Sequence, residues 1–200
     1  MNTFNDRARN WDKDPLHWDR STAIANSLLE MIPVTPDMEA LEYGAGTGIL
    51  SFLLSEKFSE ITLMDNSEEM VKVMREKVAT SQSKNLKPLF WDLVQNDFDS
   101  GKFDCIFSQM VLHHLPDVEA ILNKWRKMLK PGGYLAIADL FSEDGTFHNA
   151  DANVHWGFDP EKLSDTLRLT GFKDIKHKTC FGIKRNNGRN YPVFLLIAKI

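Results

Sequence analysis

The sequence predicts an α/β fold with a mostly parallel sheet, and three observations carry this prediction. Short apolar segments typical of strands alternate with segments whose apolar residues recur at helical spacing. The first strand, over residues 38–43, runs into a turn of alternating glycines that opens a helix. The chain has 200 residues, 42% of them apolar and 26% charged, so one domain over residues 1–200 can bury a sizeable core.

The remaining elements follow in order with short connections. Residues 1–18 are polar with interspersed aromatic side chains, and Asp14-Pro15 is expected to break any helix there. Pro88 predicts an edge position for the third strand, because proline cannot donate a backbone hydrogen bond. Helices are predicted over 19–32, 49–58, 68–79, 118–129 and 160–170. Strands are predicted over 38–43, 60–64, 86–91, 103–108, 134–139, 173–181 and 191–199, the last two as a hairpin.

The glycine turn Gly44-Ala45-Gly46-Thr47-Gly48 predicts a site for a nucleotide-like ligand. Glycine lets a ligand approach the backbone closely, and the helix N-terminus that follows offers free N–H groups. A dinucleotide turn would need a glycine at position 49, which is Ile49. No Lys-Ser or Lys-Thr pair follows the turn, so a P-loop is excluded.

An acidic residue, Asp65, ends the second strand 21 residues after Gly44. At this distance a strand–helix–strand unit brings a carboxylate to the ribose of a bound nucleotide. The alternative is that Asp65 only caps the next helix, where Ser67 is the predicted N-cap.

Three motifs together resemble the class I S-adenosylmethionine-dependent methyltransferases, and in particular the ubiquinone-biosynthesis type that acts on small molecules. They are Glu42-x-Gly-x-Gly-x-Gly, Leu-His-His-Leu-Pro-Asp at 112–117 and Leu-Lys-Pro-Gly-Gly-Tyr-Leu at 129–135. The resemblance covers residues 38–140 continuously. It implies a Rossmann-like sheet of seven strands, mostly parallel with the last strand reversed, and helices on both faces. It also implies S-adenosylmethionine as cofactor and S-adenosylhomocysteine as product.

The resemblance further implies which residues contact the cofactor. An acidic residue after the third strand accepts a hydrogen bond from the adenine amino group in this family, and Asp92 matches it, with Leu93 next to it. The alternative for Asp92 is a solvated loop residue. The cofactor-binding residues expected on this basis are Trp11, Glu42, Gly44, Ala45, Gly46, Gly48, Asp65, Asn66, Met70, Asp92, Leu93, Ser108, Gln109 and His113.

The same resemblance divides the domain into functional parts. Residues 1–32 are expected to form an N-terminal cap over the cofactor, although their aromatic side chains are equally suited to cover an edge of the core. Residues 38–140 are the cofactor-binding core, residues 141–158 a substrate lid, and residues 159–200 a helix followed by the terminal hairpin.

Histidines are the candidates for catalysis, because an imidazole is suited to remove a proton from a hydroxyl or ammonium acceptor. His114 ranks first, since similar phosphoethanolamine methyltransferases carry a base at this place, and His148 and His155 follow from the lid. A role in packing only is the alternative. No metal is expected, because the sequence contains no C-x-x-C, H-E-x-x-H or H-x-x-x-H spacing.

Absent motifs narrow the substrate to a small organic molecule, because Ser108-Gln109-Met110-Val111 after the fourth strand matches neither the N/D-P-P-Y/F motif of amino-methylating DNA enzymes nor the paired glutamates of arginine methyltransferases. The net charge is −4 and no basic stripe is present, so neither nucleic acid nor a membrane surface is an expected partner. With two cysteines and no signal segment, the expected compartment is the cytoplasm. Two alternative functions stay open, a noncatalytic S-adenosylmethionine-binding protein and a nicotinamide-dependent oxidoreductase. The oligomeric state is also open.

Overall fold

The computed structural model describes residues 4–148 and 154–200. Five α-helices accompany seven strands in these ranges. The helices are α1 (Pro15–Met31), α2 (Ile49–Leu54), α3 (Glu68–Thr80), α4 (Val118–Met128) and α5 (Pro160–Leu169). The strands are β1 (Glu39–Tyr43), β2 (Glu60–Asp65), β3 (Leu86–Phe90), β4 (Phe103–Gln109), β5 (Leu129–Leu140), β6 (Lys173–Lys184) and β7 (Asn190–Lys199). Short 3₁₀ helices cover Asn5–Lys13, Ser55–Lys57 and Leu112–His114.

The seven strands form one sheet in the order β3-β2-β1-β4-β5-β7-β6. Strands β1 to β5 pair in parallel, whereas β7 pairs antiparallel with both β5 and β6. The predicted seven-stranded, mostly parallel sheet with a reversed last strand is therefore confirmed. Strand β3, which contains Pro88, lies at an edge as the sequence predicts.

Each face of the sheet is covered by its own apolar core. On one face Leu28 of α1 and Leu50 of α2 pack with Ala40 and other side chains of the sheet. On the opposite face Trp125 of α4 and Leu167 of α5 pack with Leu41. Because neighbouring residues of β1 enter opposite cores, this strand is buried on both sides, as parallel strands in α/β sheets are.

Helix α1 begins at Pro15, earlier than the predicted start at residue 19, and the expected break at Asp14-Pro15 is present because the extended Asp14 separates α1 from the helix that ends at Lys13. The Asp14 side chain accepts a hydrogen bond from the Leu16 backbone N–H and acts as the N-cap. Pro15 is then the first helical residue. A backbone N–H at this position would have no acceptor within the helix, so proline loses no hydrogen bond there. Upstream of this cap, Asn5–Lys13 forms a 3₁₀ helix that the sequence pattern does not predict.

The parallel strands bring their carboxyl ends to one end of the sheet. Tyr43 of β1 lies beside Met64 of β2, and Glu42 lies beside Phe107 of β4. Ser108 of β4 in turn lies beside Ile137 of β5. The residues that follow these strands therefore come together, which is where ligands bind in open α/β sheets.

Candidate functional site

The glycine turn leaves open space above its middle residue. Gly44, Gly46 and Gly48 all have positive φ angles of 68°, 57° and 83°, which side chains rarely adopt. A Cβ atom on Gly44 would lie 2.4 Å from the Val111 side chain, so this position is closed by packing. A Cβ atom on Gly46 would meet nothing within 4 Å. A ligand can therefore reach the backbone at Gly46.

Glu42 anchors the glycine turn from below. The carboxyl is fully buried and accepts hydrogen bonds from the Ser51 backbone N–H at 3.1 Å and from the Ser51 hydroxyl at 2.5 Å. Burial raises the pKa of Glu42 to about 8, although the hydrogen bonds from Ser51 and Gln109 oppose this shift. The side chain thereby ties the end of β1 to the first turn of α2. It holds the turn in place from inside the protein.

Asp65 lies at the end of β2, directly beside the glycine turn. Its Oδ2 accepts a hydrogen bond from the Gly46 N–H at 2.7 Å, and its Oδ1 accepts one from the Ser67 N–H at 2.8 Å. Burial raises the pKa of Asp65 to about 6, and these backbone donors act against the shift. Each carboxylate oxygen can accept two hydrogen bonds, so both retain capacity for a ligand hydroxyl.

The residues after Asp65 lead into α3. Asn66 is exposed, and Ser67 caps the helix by accepting a hydrogen bond from the Met70 N–H at 3.3 Å. Met70 is buried in the first turn of this helix. The N-cap of α3 is therefore Ser67 and not Asp65.

Asp92 and Leu93 follow β3 in a turn. The Asp92 Oδ1 accepts hydrogen bonds from the N–H groups of Val94 and Gln95, at 2.9 and 3.3 Å. The Leu93 side chain is fully buried in the core beside Leu41. Asp92 therefore has a structural role in shaping its own turn, whatever else it binds.

Ser108 and Gln109 end β4 beside the anchor formed by Glu42. Gln109 accepts a hydrogen bond from the Ser21 hydroxyl of α1 at 3.0 Å, and its amide nitrogen lies 3.5 Å from the Glu42 carboxyl. The Ser108 hydroxyl is buried and has no hydrogen-bond partner within residues 4–148 and 154–200.

The N-terminal segment lies against the glycine turn. The Asp12 carboxylate accepts hydrogen bonds from the Thr47 hydroxyl and, at 2.6 Å, from the Lys77 ammonium of α3. Lys77 also donates to the Thr47 carbonyl at 2.8 Å. Trp11 stacks on His17 with ring centres 4.1 Å apart. This segment thereby connects the glycine turn to α3.

The side chain of His113 is fixed by a buried carboxylate at the end of β5. His113 Nδ1 lies 2.6 Å from Asp139 Oδ1, and its backbone N–H donates to Asp139 Oδ2 at 3.2 Å. Both side chains are almost completely buried. Since the Asp139 carboxylate is the acceptor, Nδ1 carries the proton and Nε2 keeps its lone pair. That Nε2 atom has no hydrogen-bond partner in the described part of the chain.

His114 and His148 stand next to His113 and complete a cluster of three imidazoles. The ring centres lie 4.1 Å apart for His113 and His114, 5.0 Å for His113 and His148, and 5.2 Å for His114 and His148. Burial lowers the pKa of His114 to about 3 and that of His148 to about 4, and the nearby Asp139 carboxylate opposes both shifts. The His114 and His148 imidazoles are therefore neutral near pH 7.

His155 is placed differently from the other two catalytic candidates. Its side chain is exposed, its Nε2 lies 3.0 Å from the Leu115 carbonyl, and its backbone N–H donates to the His113 carbonyl at 2.8 Å. Residue 155 thus ties the returning end of the expected lid to the loop after β4. Residues 149–153 of that lid lie outside the described residues.

Two cationic side chains of the site are not apparent from the sequence. Arg20 of α1 is buried, and its Nε has no hydrogen-bond partner among residues 4–148 and 154–200. Burial lowers the pKa of Arg20 to about 10, opposed by the carboxylates of Asp139 and Asp14. The second cationic side chain is Lys77, which pairs with the Asp12 carboxylate. Helical periodicity places such residues on a face of a helix, but it does not show what that face meets.

The sequence is similar to those of known methyltransferases. The profile of a family described as a methyltransferase domain matches residues 41–137. An uncharacterized methyltransferase of Schizosaccharomyces pombe is 32% identical over 147 residues, which are 66% of this chain and 52% of the relative. The trans-aconitate 2-methyltransferase of Deinococcus radiodurans is 31% identical over 144 residues, covering 69% of this chain and 52% of that enzyme. The chain thus spans about half the length of these curated relatives.

The solved structures extend the likeness to the whole fold. A Haloferax volcanii methyltransferase, solved in complex with the Trm112 methyltransferase activator, superposes with a TM-score of 0.80 at 18% sequence identity. The superposition covers all of this chain and 98% of that one. The sheet order, the glycine turn followed by Asp65 and the profile match lead to one assignment: the chain carries a methyltransferase domain of the class I S-adenosylmethionine-dependent family.

Proposed function

We propose that this protein transfers the methyl group of S-adenosylmethionine to a small organic molecule. The observation that carries the proposal is the arrangement around Gly46. Open space above this residue lies beside the Asp65 carboxylate, which has free acceptor capacity. A ribose with two neighbouring hydroxyls suits such a carboxylate, because both hydroxyls can donate to it.

The remaining cofactor contacts in this proposal follow the order of the strands. Asp65 accepts the ribose hydroxyls, and Asp92 with Leu93 meets the adenine. Gly44, Ala45, Gly46 and Gly48 border the methionyl part, together with Asn66, Met70, Ser108, Gln109 and His113. Glu42 positions the turn through Ser51 rather than through the ligand, in line with its burial. Trp11 and the segment around it close over the cofactor as a cap.

On the acceptor side, the histidine cluster and the segment 141–158 receive the substrate. Methyl transfer forms a bond from the acceptor atom to the methyl carbon and breaks the carbon–sulfur bond, whose electron pair stays on sulfur. The protein has to align the acceptor with the methyl group and exclude water. A hydroxyl or ammonium acceptor must also lose a proton, for which His114, His148 and His155 are the proposed groups, His114 first.

A small acceptor is favoured by the similarity to a trans-aconitate 2-methyltransferase. Across residues 4–148 and 154–200, no helix combines the length and the apolar character needed to cross a bilayer. Neither Cys105 nor Cys180 forms a disulfide, which suits the reducing cytoplasm that we propose as its compartment.

The proposal is tested by screening small hydroxyl, amine, thiol and carboxylate compounds for release of S-adenosylhomocysteine. The cofactor assignment is tested with Asp65→Asn, a variant that keeps the shape of the side chain but removes the carboxylate. We expect this variant to bind S-adenosylhomocysteine about 10- to 100-fold more weakly in calorimetric titration, since charge-assisted hydrogen bonds are lost.

The pH dependence provides a second readout for the same variant. The ligand hydroxyls donate to the ionised carboxylate, and burial raises the pKa of Asp65 to about 6. Wild-type affinity should therefore increase as the pH rises through about 6, and the Asn variant should lack this step. Equal affinities of the two proteins at pH 7 would remove the cofactor assignment.

A further inference from the structure

We propose that the imidazoles of His113, His114 and His148 bind a divalent transition-metal cation and leave one coordination position open to the methyl acceptor. Each of the three residues offers one ring nitrogen, and these nitrogens lie within 4.8 Å of one another. Three nitrogens bound tetrahedrally to zinc at about 2.1 Å are themselves about 3.4 Å apart. A contraction of at most about 1.4 Å between any two of these nitrogens therefore converts the cluster into a set of ligands.

Two ring nitrogens of the cluster are buried polar atoms without a hydrogen-bond partner among the described residues. The Nε2 atoms of His113 and His148 are both buried without a hydrogen-bond partner in residues 4–148 and 154–200. A buried polar atom left without a partner is costly, so such atoms are rare in native proteins. A cation between the rings satisfies both atoms at once.

Asp139 gives His113 the form that a metal ligand requires. The carboxylate accepts the Nδ1 proton at 2.6 Å, so the lone pair is on Nε2, the atom without a partner. The same carboxylate is held by the N–H groups of His113 and Leu140, at 3.2 and 2.7 Å. A carboxylate behind a histidine in this way orients the ring and strengthens it as a ligand in many zinc sites.

The other two ligands are also held in position by their neighbours. His114 follows His113 in the 3₁₀ helix after β4, and Phe4 packs edge-on against its ring at 5.4 Å. His148 follows Phe147, whose carbonyl accepts a hydrogen bond from Arg185 at 3.1 Å and whose ring packs on Tyr191. The site thus joins the loop after β4 to the loop after β5.

Three imidazoles identify the class of metal. Imidazole nitrogen suits zinc, copper, nickel and iron, whereas magnesium and calcium prefer oxygen ligands. A site with three protein ligands keeps a fourth position for water or substrate, which is the arrangement of catalytic zinc. Zn²⁺ is accordingly the first probe.

The inference rests on the proposed function for its role in the reaction. A hydroxyl or thiol acceptor binds the cation and loses its proton to solvent, because a cation lowers the pKa of a bound group. The lone pair of the acceptor oxygen or sulfur then attacks the methyl carbon, and the carbon–sulfur bond of the cofactor breaks with its electron pair on sulfur. In the metal-loaded protein, His113, His114 and His148 act as ligands, so the cation takes the place of a free imidazole base.

Metal binding is measured directly, on the 200-residue chain stripped with a chelator and then titrated with Zn²⁺ in a calorimeter. Binding of Co²⁺ is followed in parallel by its visible absorption bands, which report tetrahedral coordination by nitrogen. We expect one equivalent of metal per chain. His114→Ala and His148→Ala should each weaken binding by about 10- to 100-fold or more, and Asp139→Asn by about 10-fold or more.

His177→Ala is the matched control, because His177 lies on β6 and contacts Glu161 instead of the cluster. It should bind Zn²⁺ like the wild type. His148→Ala changes a loop residue, so it remains informative if a buried substitution such as His113→Ala prevents folding. Absence of Zn²⁺ and Co²⁺ binding, or equal binding by wild type and His148→Ala, would overturn the metal site.

Activity separates this inference from the proposed function. Binding of one Zn²⁺ through these histidines supports the metal site, whether or not the protein is active. Failure of every acceptor to yield S-adenosylhomocysteine would count against the proposed methyl transfer and not against the metal site. Turnover that survives complete removal of the metal would overturn the role of the cation and leave an imidazole as the base.

Discussion

At the scale of single residues, the buried Glu42 makes stability depend on pH. Burial raises the pKa of Glu42 to about 8 in the folded protein, above the value of 4.5 for a free glutamate side chain. Folding therefore favours the protonated form. The stabilisation is fully present below pH 4.5 and is lost as the pH rises through about 8.

The comparison of wild type with Glu42→Gln isolates this effect. The amide has the shape of the protonated acid and does not titrate, so the variant should gain stability relative to wild type between pH 5 and pH 8 by about 1 kcal/mol or more. Urea unfolding at several pH values measures the difference. Glu56→Gln, which alters an exposed carboxyl, is the control. Parallel pH profiles for wild type and Glu42→Gln would show that Glu42 titrates as it does in water.

Single residues also show how far the sequence alone can reach. The relation between Gly44 and Asp65 is local, since one strand–helix–strand unit fixes it, and the structure places Asp65 against the turn at Gly46. The histidine cluster is not local. His113 and His148 come from loops after different strands, and a search for ligand spacing within one element therefore does not detect it.

At the scale of elements, the N-terminal segment is a candidate moving part. Asp12 connects it to Thr47 of the glycine turn and to Lys77 of α3. If the segment closes over the cofactor, amides of Asn5–Lys13 should exchange hydrogen more slowly once S-adenosylhomocysteine is bound. Mass spectrometry of peptides from this segment, with and without ligand, provides the measurement.

Two variants sharpen the same experiment. Asp12→Ala removes both contacts and should increase exchange in Asn5–Lys13 several-fold, because the segment loses its anchor. Asp6→Ala, an exposed position of the same 3₁₀ helix, should leave exchange unchanged. Equal protection of the segment with and without ligand would favour a fixed cover of the core edge.

Elements also differ in how well sequence patterns define their ends. Helix α3 begins at Glu68 as predicted, because Ser67 has an unambiguous capping side chain. Helix α1 begins before the predicted start at residue 19, because Asp14 caps it and Pro15 occupies its first position. Likewise, α2 changes to a 3₁₀ turn at Ser55, where the pattern predicts continued α-helix. Apolar spacing shows the buried face of a helix, while capping chemistry determines its first residue.

At the scale of the whole molecule, the position of β7 inside the sheet affects the order of folding. Strand β7 is the last strand along the chain, yet it lies between β5 and β6 and is buried from Val193 to Ala198. Strands β1 to β5 can assemble from a continuous stretch of chain. The edge of β5 then stays unpaired until β7 docks, and β7 begins 50 positions after the end of β5, at Asn190 against Leu140.

During folding, the unpaired edge of β5 can pair with a strand of another molecule. An unpaired strand edge is a template for another chain, and here it is lined by the apolar β5. In pulsed hydrogen exchange during refolding, the amides of β7 should therefore become protected after those of β1 and β4. At high protein concentration, β5 should accept β7 from a neighbouring molecule, giving a domain-swapped dimer that gel filtration resolves. Simultaneous protection of all seven strands, with no dimer at any concentration, would show that β7 docks as early as the rest.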